Sequence, residues 1–393
     1  MSSAFVQSVH VYPIKSASGI SLSHSWVDDF GLSFDRRFVV TELNGRFITA
    51  RTQPSLCLIS VNITPEGLVL TAPDMPVLEI KFKQFSEQYH AVTVWNDEVN
   101  ALYCHQHYDK WFSDYLGLPC QLHFFAERSS RYVKNRNNQV AFADGYPLLL
   151  ATQATLDDLN KKLKNHQVTM NNFRPNVVVG QTLAFAEDTW KHIRIGEVEF
   201  EITKPCSRCI FTTVDPLTGE KHPKQEPLAT LKQYRQLDNG DVIFGQNMVA
   251  LNKGIIRQGD EVTIISEQSA PNYTKPSKKT AEASIESVKT STNMQAELPE
   301  MPKKSSVNLS FASWNTQHKG NTKEPILDQG EAAGLILPYS CRGGMCGRCK
   351  IKLESGEVRQ LADDGLTDEE KAQGYVLACS AIPQSDLVLT SGK

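Results

Sequence analysis

The chain has 393 residues, 40% of them hydrophobic and 22% charged, with a formal net charge of −3. That length exceeds one ordinary domain and predicts two or three. The balanced charge leaves no electrostatic footprint for a nucleic acid polymer or an anionic membrane surface, and no apolar run approaches the length of a membrane span.

The N-terminus, MSSAFVQSVHVYPIKS, lacks a basic start followed by an apolar run, so no signal peptide is expected and the protein reads as cytoplasmic. In that compartment thiols stay reduced. The nine cysteines are therefore expected as ligands, catalysts or buried fillers, not as a disulfide framework.

In chain order, FVQSVHVYPI and RRFVVTELNGRFITAR carry β-branched and aromatic residues in local alternation and predict strands, with Leu43–Asn44–Gly45 as a hairpin turn. HYDKWFSDYLG predicts a helix over 107–117, stopped by Gly117 and Pro119. The nearby Cys104, His105 and His107 lack partner residues and read as surface or helix-capping groups, not a metal site. TQATLDDLNKKLKNH predicts the best helix, over 152–166. Its Leu156, Leu159 and Leu163 share one face, and its acids precede its lysines as the macrodipole prefers. EVEFEIT and DEVTII predict further strands. The body is thus expected to be β-rich with a few helices.

Residues 267–306 form the clearest boundary. They are rich in Ser, Thr, Lys and Pro and cannot bury enough apolar surface to offset their ordering entropy. As a flexible coil the segment would have an r.m.s. reach of roughly 35 Å. It leads to a compact C-terminal unit over 307–393.

That unit contains Cys341, Cys346, Cys349 and, further on, Cys379. The pattern C-x4-C-x2-C…C is the spacing of a plant-type [2Fe–2S] site, in which four thiolates hold two sulfide-bridged irons. Gly343, Gly344 and Gly347 permit the close backbone approach that aims amides at sulfur. Structural zinc favours two similar short hairpins, and the lopsided spacing fits that poorly. PYSCRGGMCGRCKIKLESGEV and YVLACSAIP resemble the plant-type ferredoxin family over most of 307–393. The resemblance implies a β-grasp fold, with Cys341 and Cys346 on one iron and Cys349 and Cys379 on the other. It also implies a one-electron carrier with a potential of about −400 mV.

In the body, KPCSRCIFTTVDPLTGE holds Cys206 and Cys209. From the residues alone this C-x2-C could be half a zinc site, a redox pair or two buried thiols; CIFTTVD reads as a strand, whereas thioredoxin-like pairs open a helix. Asp215, before Pro216, reads as a turn former ahead of a proton donor. Basic and polar groups recur at turn-like places: Lys15 and Ser16, Arg36 and Arg37, Arg51, Arg174 and Asn176, Ser207 and Arg208. Together they could line a groove for a phosphorylated cofactor.

YPIKSASG, DRRFVV, TAR, NFRPNVVV, CSRCIFTTVDPLTG and FGQNM, six blocks in order over roughly 4–266, resemble the MOSC superfamily with its N-terminal β-barrel partner. With the ferredoxin unit, the chain is similar to the bacterial YcbX-type branch, related to the mitochondrial amidoxime-reducing component. The resemblance implies an N-terminal β-barrel domain over 1–118, a MOSC molybdenum-cofactor domain over 119–266, a linker over 267–306 and a ferredoxin domain over 307–393.

It further implies a molybdenum enzyme that reduces N-hydroxylated compounds: hydroxylamino-purines, hydroxylamines and amidoximes. Cys209 matches the molybdenum thiolate ligand. Lys15, Ser16, Arg36, Thr152, Arg174, Asn176, Ser207 and Arg208 match positions that hold molybdopterin, while Cys206 matches no ligand position. The resemblance also implies an external NADPH-dependent flavoprotein reductase as partner; the chain shows no glycine-rich dinucleotide fingerprint of its own. Two other functions fit parts of the pattern: a sulfur carrier using a Cys209 persulfide, and a non-enzymatic electron carrier.

Overall fold

The structure is a computed structural model that describes residues 3–163, 167–273, 306–322, 324–335, 337–338, 347, 349–360, 363 and 365–391. Cys341, Cys346 and nearly all of the expected linker lie outside the described residues.

Strand Phe5–Val11 shows how local pattern and long-range pairing combine. Val6, Val9 and Val11 are buried although their spacing breaks strict alternation. A bulge between Val6 and Ser8 inserts one residue and returns the later valines to the same face. The strand pairs antiparallel with Val177–Gly180, far away in sequence. It thereby joins an eight-stranded sheet whose order is Val262–Glu267, Trp190–Ile195, Val198–Ser207, Ile243–Ala250, Leu148–Thr152, Val177–Gly180, Phe5–Val11 and Ile20–Leu22. Gly254–Arg257 likewise pairs with His24–Asp28. The first thirty or so residues are therefore woven into sheets of the later half of the body.

The one parallel pair of the large sheet, Leu148–Thr152 with Val177–Gly180, is bridged by helix Gln153–Lys162. Thr152 caps it, accepting from Thr155 N, and Leu156 and Leu159 are buried beneath it. The second expected helix spans Gln106–Leu116; Gly117 ends it at φ +67° in the left-handed region, and His105 caps its start by accepting from His107 N. A separate four-stranded sheet runs in the order Phe38–Glu42, Cys120–Phe124, Asp97–Tyr103 and Tyr89–Val94. Its core is aromatic, built on Phe34, Phe38, Phe82 and Phe124.

One expectation fails locally. Residues 210–213 form a single 3₁₀ turn, Ile210–Thr213, not a strand. The β-branched run suggested an extended chain, but the Thr212 and Thr213 hydroxyls donate back to the carbonyls of Cys209 and Ile210 and stabilise the turn instead.

The C-terminal unit is a five-stranded mixed sheet in the order Thr316–Asn321, Ser306–Phe311, Leu387–Thr390, Lys350–Ser355 and Tyr375–Leu377, with helix Ile326–Ala332. Cys349 and Cys379 belong to its apolar core.

Candidate active site

The turns after Phe5–Val11, before Phe38–Glu42, before Leu148–Thr152, before Val177–Gly180 and after Val198–Ser207 open into one cleft. The cleft encloses about 900 Å³, including the solvent at its mouth. Lys15, Ser16, Arg36, Arg51, Arg174, Asn176, Cys206, Ser207, Arg208 and Cys209 line it together. Of the basic groups that recur along the sequence, all but Arg37 thus converge.

Three of these residues, Ser16, Arg36 and Arg174, have φ of +73°, +47° and +57°. Left-handed backbone at non-glycine residues is costly and persists only where the surroundings hold it. Here backbone bonds do so: Lys15 N donates to Phe38 O, Arg36 N to Tyr12 O and Arg174 N to Met170 O.

Arg36 and Arg174 stack on the Tyr12 ring, at 4.2 and 4.1 Å from its centroid. Asp35 receives the Arg36 guanidinium at 2.6 and 2.7 Å. Its neighbour Arg37 points away; it is buried against Phe30, Phe124 and Phe125 and donates to Phe125 O. Arg174 donates to Ala17 O, yet its Nη2 is buried with no partner. Burial, then repulsion from Arg36, pulls the Arg174 pKa down to about 10. Asn176 ties three segments: its Nδ2 donates to His10 O and its Oδ1 accepts from Leu149 N and Arg36.

Lys15 is buried and donates to Phe142 O and to Asp144 Oδ1, at 2.7 and 2.5 Å. Burial lowers its pKa to about 8 against the opposing pull of Asp144. At Asp144 desolvation works against the charge, but Lys15, followed by Arg51, outweighs it and holds the carboxyl below its usual range.

On the facing wall, strand Val198–Ser207 delivers the C-x2-C segment. Arg208 N donates to Val242 O, and its guanidinium reaches Phe173 O at 2.5 Å and Cys206 Sγ at 2.9 Å. Arg208 Nε is buried without a partner. Ser207 Oγ donates to Asp241. Cys209 is exposed and Cys206 partly so, and neither is in a disulfide. Cys209 begins the 3₁₀ turn, with Arg51 Nη1 3.7 Å from its sulfur.

Thr152 stands apart from the other predicted residues. It is fully buried, and its hydroxyl bonds with Thr155 and Glu187 instead of facing the cleft. Asp215 is a turn former as expected: its Oδ1 accepts from Leu217 N and Thr218 N. Sequence reasoning missed Tyr12, Asp144 and Trp95. Tyr12 abuts the Lys15 block, and Asp144 lies in a Gly-containing turn before a buried strand, so both had a weak local signal. Trp95 stands in a turn between two alternating runs, a position where a large aromatic is unusual.

In the C-terminal unit the Cys349 and Cys379 sulfurs approach to 3.1 Å, and both residues are 2% exposed. Cys341 and Cys346 lie outside the described residues.

Known families match three stretches: residues 3–119 match the MOSC N-terminal beta barrel domain, 137–263 the MOSC domain and 315–384 the 2Fe-2S iron-sulfur cluster binding domain. Over 282 residues the chain is 36% identical to mitochondrial amidoxime-reducing component 1 of Mus musculus, covering 67% of this chain and 82% of that one. It is also 36% identical to mitochondrial amidoxime reducing component 2 of Homo sapiens over 277 residues, 65% of this chain and 82% of that one. The β-rich fold class expected from the sequence is thus the one found, and no helix among the described residues is long and apolar enough to cross a membrane.

Proposed function

We propose, because the chain belongs to the MOSC family that includes the mitochondrial amidoxime-reducing components, that it is a molybdenum-cofactor oxidoreductase for N-hydroxylated compounds. Its substrates are hydroxylamino-purines, hydroxylamines and amidoximes, and its electrons pass through its own 2Fe-2S domain. The observation that carries this reading is an exposed thiol, Cys209, in a cleft lined by five cations and a single carboxylate, Asp144.

The residues fit a polyanionic pterin. Arg174 Nη2 and Arg208 Nε are buried donors with no protein partner, and a buried guanidinium N–H left unpaired is costly unless a ligand accepts from it. Lys15, Ser16, Arg36, Arg174, Asn176, Ser207 and Arg208 would hold the pterin and its phosphate, and Cys209 would ligate the metal, a soft thiolate suited to it. Thr152 would act from behind the wall, by fixing the start of helix Gln153–Lys162. Cys206 would orient Arg208 through the bond between them. When bound, the cofactor supplies two-electron redox chemistry. The net reaction breaks the N–O bond: R–NHOH takes two electrons and two protons and leaves as R–NH2 and water.

Cys341, Cys346, Cys349 and Cys379 would hold the cluster. It carries one electron at a time, so each turnover draws on it twice. Those electrons would come from an external NADPH-dependent flavoprotein reductase, and thiol usage favours a cytoplasmic setting. The expected linker would join the two centres; its first residues, through Tyr273, still pack on the body, where the Tyr273 hydroxyl donates to Asp188. Sulfur transfer from a Cys209 persulfide has no use for an electron-carrying domain, and a simple electron carrier has none for the cationic cleft.

The test is metal content together with turnover. Protein purified from a host that makes molybdopterin should contain about one molybdenum per two irons, as the ligand sets require, and should reduce benzamidoxime. Two irons with no molybdenum, where a control molybdoenzyme from the same host is loaded, would overturn the reading.

A further inference from the structure

Strands Tyr89–Val94 and Asp97–Tyr103 form a hairpin in which Val94 pairs with Asp97, leaving Trp95 and Asn96 as a two-residue turn. Trp95 has φ +58°, and Asn96 is not among the residues with positive φ. In such turns glycine is the usual occupant of that first position, because a side chain there is strained. A large aromatic in this position is the kind of outlier that accumulates at ligand sites.

What holds the indole in place points toward the cleft. Nε1 donates to Asp144 Oδ1 at 3.2 Å. The ring packs edge-on against Phe47, 5.3 Å between centroids, and the Arg51 guanidinium lies over one of its faces, 4.4 Å from the centroid. The same guanidinium reaches Cys209 Sγ at 3.7 Å. Trp95 is thus two contacts from the thiol: it touches Asp144 and Arg51, which line the cleft, without lining it itself, and 48% of it stays exposed. A purely structural wedge would be better covered. An indole that is fixed at its polar end and open on its surface offers a rigid π-face to a planar partner.

We propose that Trp95, with the Arg51 guanidinium beside it, is a stacking platform that holds the flat, conjugated part of the substrate at the mouth of the cleft over Cys209, so that aromatic N-hydroxylated compounds are selected over aliphatic ones. This rests on the function proposed above and adds a specificity-determining residue to it. Trp95 takes no part in breaking the N–O bond.

The experiment uses oxidised holoenzyme without any reductant, so that nothing turns over. Calorimetry measures binding of two neutral probes, benzamidoxime and acetamidoxime, to the wild type, Trp95→Gly and Trp95→Phe. Glycine is the residue that the turn itself prefers, so its variant keeps the hairpin. The wild type should prefer benzamidoxime. Trp95→Gly should weaken benzamidoxime about tenfold, the scale of one aromatic stack, while acetamidoxime changes less than about twofold. Trp95→Phe should retain most of the preference. With reductant, the loss should fall on KM for the aromatic compound and leave kcat close to the wild type. If both affinities fall together, or the preference survives in Trp95→Gly, the platform is overturned. A wild type that binds the pair with the expected contrast but reduces neither would overturn the reductase function instead, leaving the platform standing.

Discussion

Cys209 and Cys349, each the second cysteine of a C-x2-C pattern, occupy opposite environments in one chain. Cys349 lies in an apolar core, 2% exposed, with the Cys379 sulfur 3.1 Å away. Cys209 lies open in a cleft, with Arg51 as its near neighbour and four more cations around it. The first setting converges thiols on one another and excludes water, as a cluster needs. The second isolates one thiol and surrounds it with donors for an anion. Spacing brings two sulfurs near each other; the dielectric and charge around them decide what they can hold.

The contrast is broken most directly by removing one thiol at a time. Cys209→Ala should abolish N-hydroxyl reduction and molybdenum binding while iron stays at its wild-type level. Loss of a supporting group near a metal typically costs ten- to a hundredfold, so loss of the ligand itself should exceed about a hundredfold in turnover. Metal analysis beside a benzamidoxime assay reads both effects. The reciprocal change, Cys379→Ser, should erase the cluster's visible absorption and turnover with a flavoprotein donor. Molybdenum content, and activity with a dithionite-type donor, should persist. Loss of both activities together would mean that the two centres are not separate.

Smaller changes sharpen the electrostatic half of the comparison. Arg174→Gln removes a charge whose Nη2 has no protein partner, and should weaken cofactor retention about ten- to a hundredfold, the range for a charged hydrogen bond. Gel filtration followed by molybdenum analysis would detect it. An unchanged occupancy would mean that Arg174 serves Tyr12 and Ala17 alone. Cys206→Ala, which removes only an acceptor for Arg208, should lower activity by no more than about threefold.

The smallest effect is a pH dependence. Buried Lys15 titrates at about 8 in the cofactor-free protein, below the ~10.4 of an unfolded lysine. Between these values the unfolded chain binds more protons at this site, so its contribution makes stability rise with pH over that window. ¹³Cε NMR of Lys15 should show a midpoint near 8 that moves up when an anion fills the cleft. In Lys15→Met that part of the stability rise should vanish from denaturation curves compared at pH 8 and pH 10.

Much of this molecule is local and therefore readable along the chain. Thr152 and the leucines at 156 and 159 specify a capped amphipathic helix within a dozen residues, and Gly117 ends another. The cysteine spacing near the C-terminus points to a cluster because one loop must wrap it. The recurring basic turns, Arg37 apart, line one cleft.

What escaped the sequence depends on contacts between distant segments. Nothing in FVQSVHV states that it will pair with Val177–Gly180, because any strand with a matching apolar face would satisfy it locally. Arg36 and Arg37 are chemically identical, and only packing sends one to the cleft beside Tyr12 and the other among phenylalanines. Thr212 and Thr213 look like strand residues until their hydroxyls find the carbonyls of a turn. Trp95 becomes meaningful only when Asp144 and Arg51, 49 and 44 residues away, close around it. Sequence determined which side chains exist to be used and the short-range elements that carry them. Tertiary structure decided which charges meet, because burial and Coulomb energy depend on distances that the order of residues does not contain.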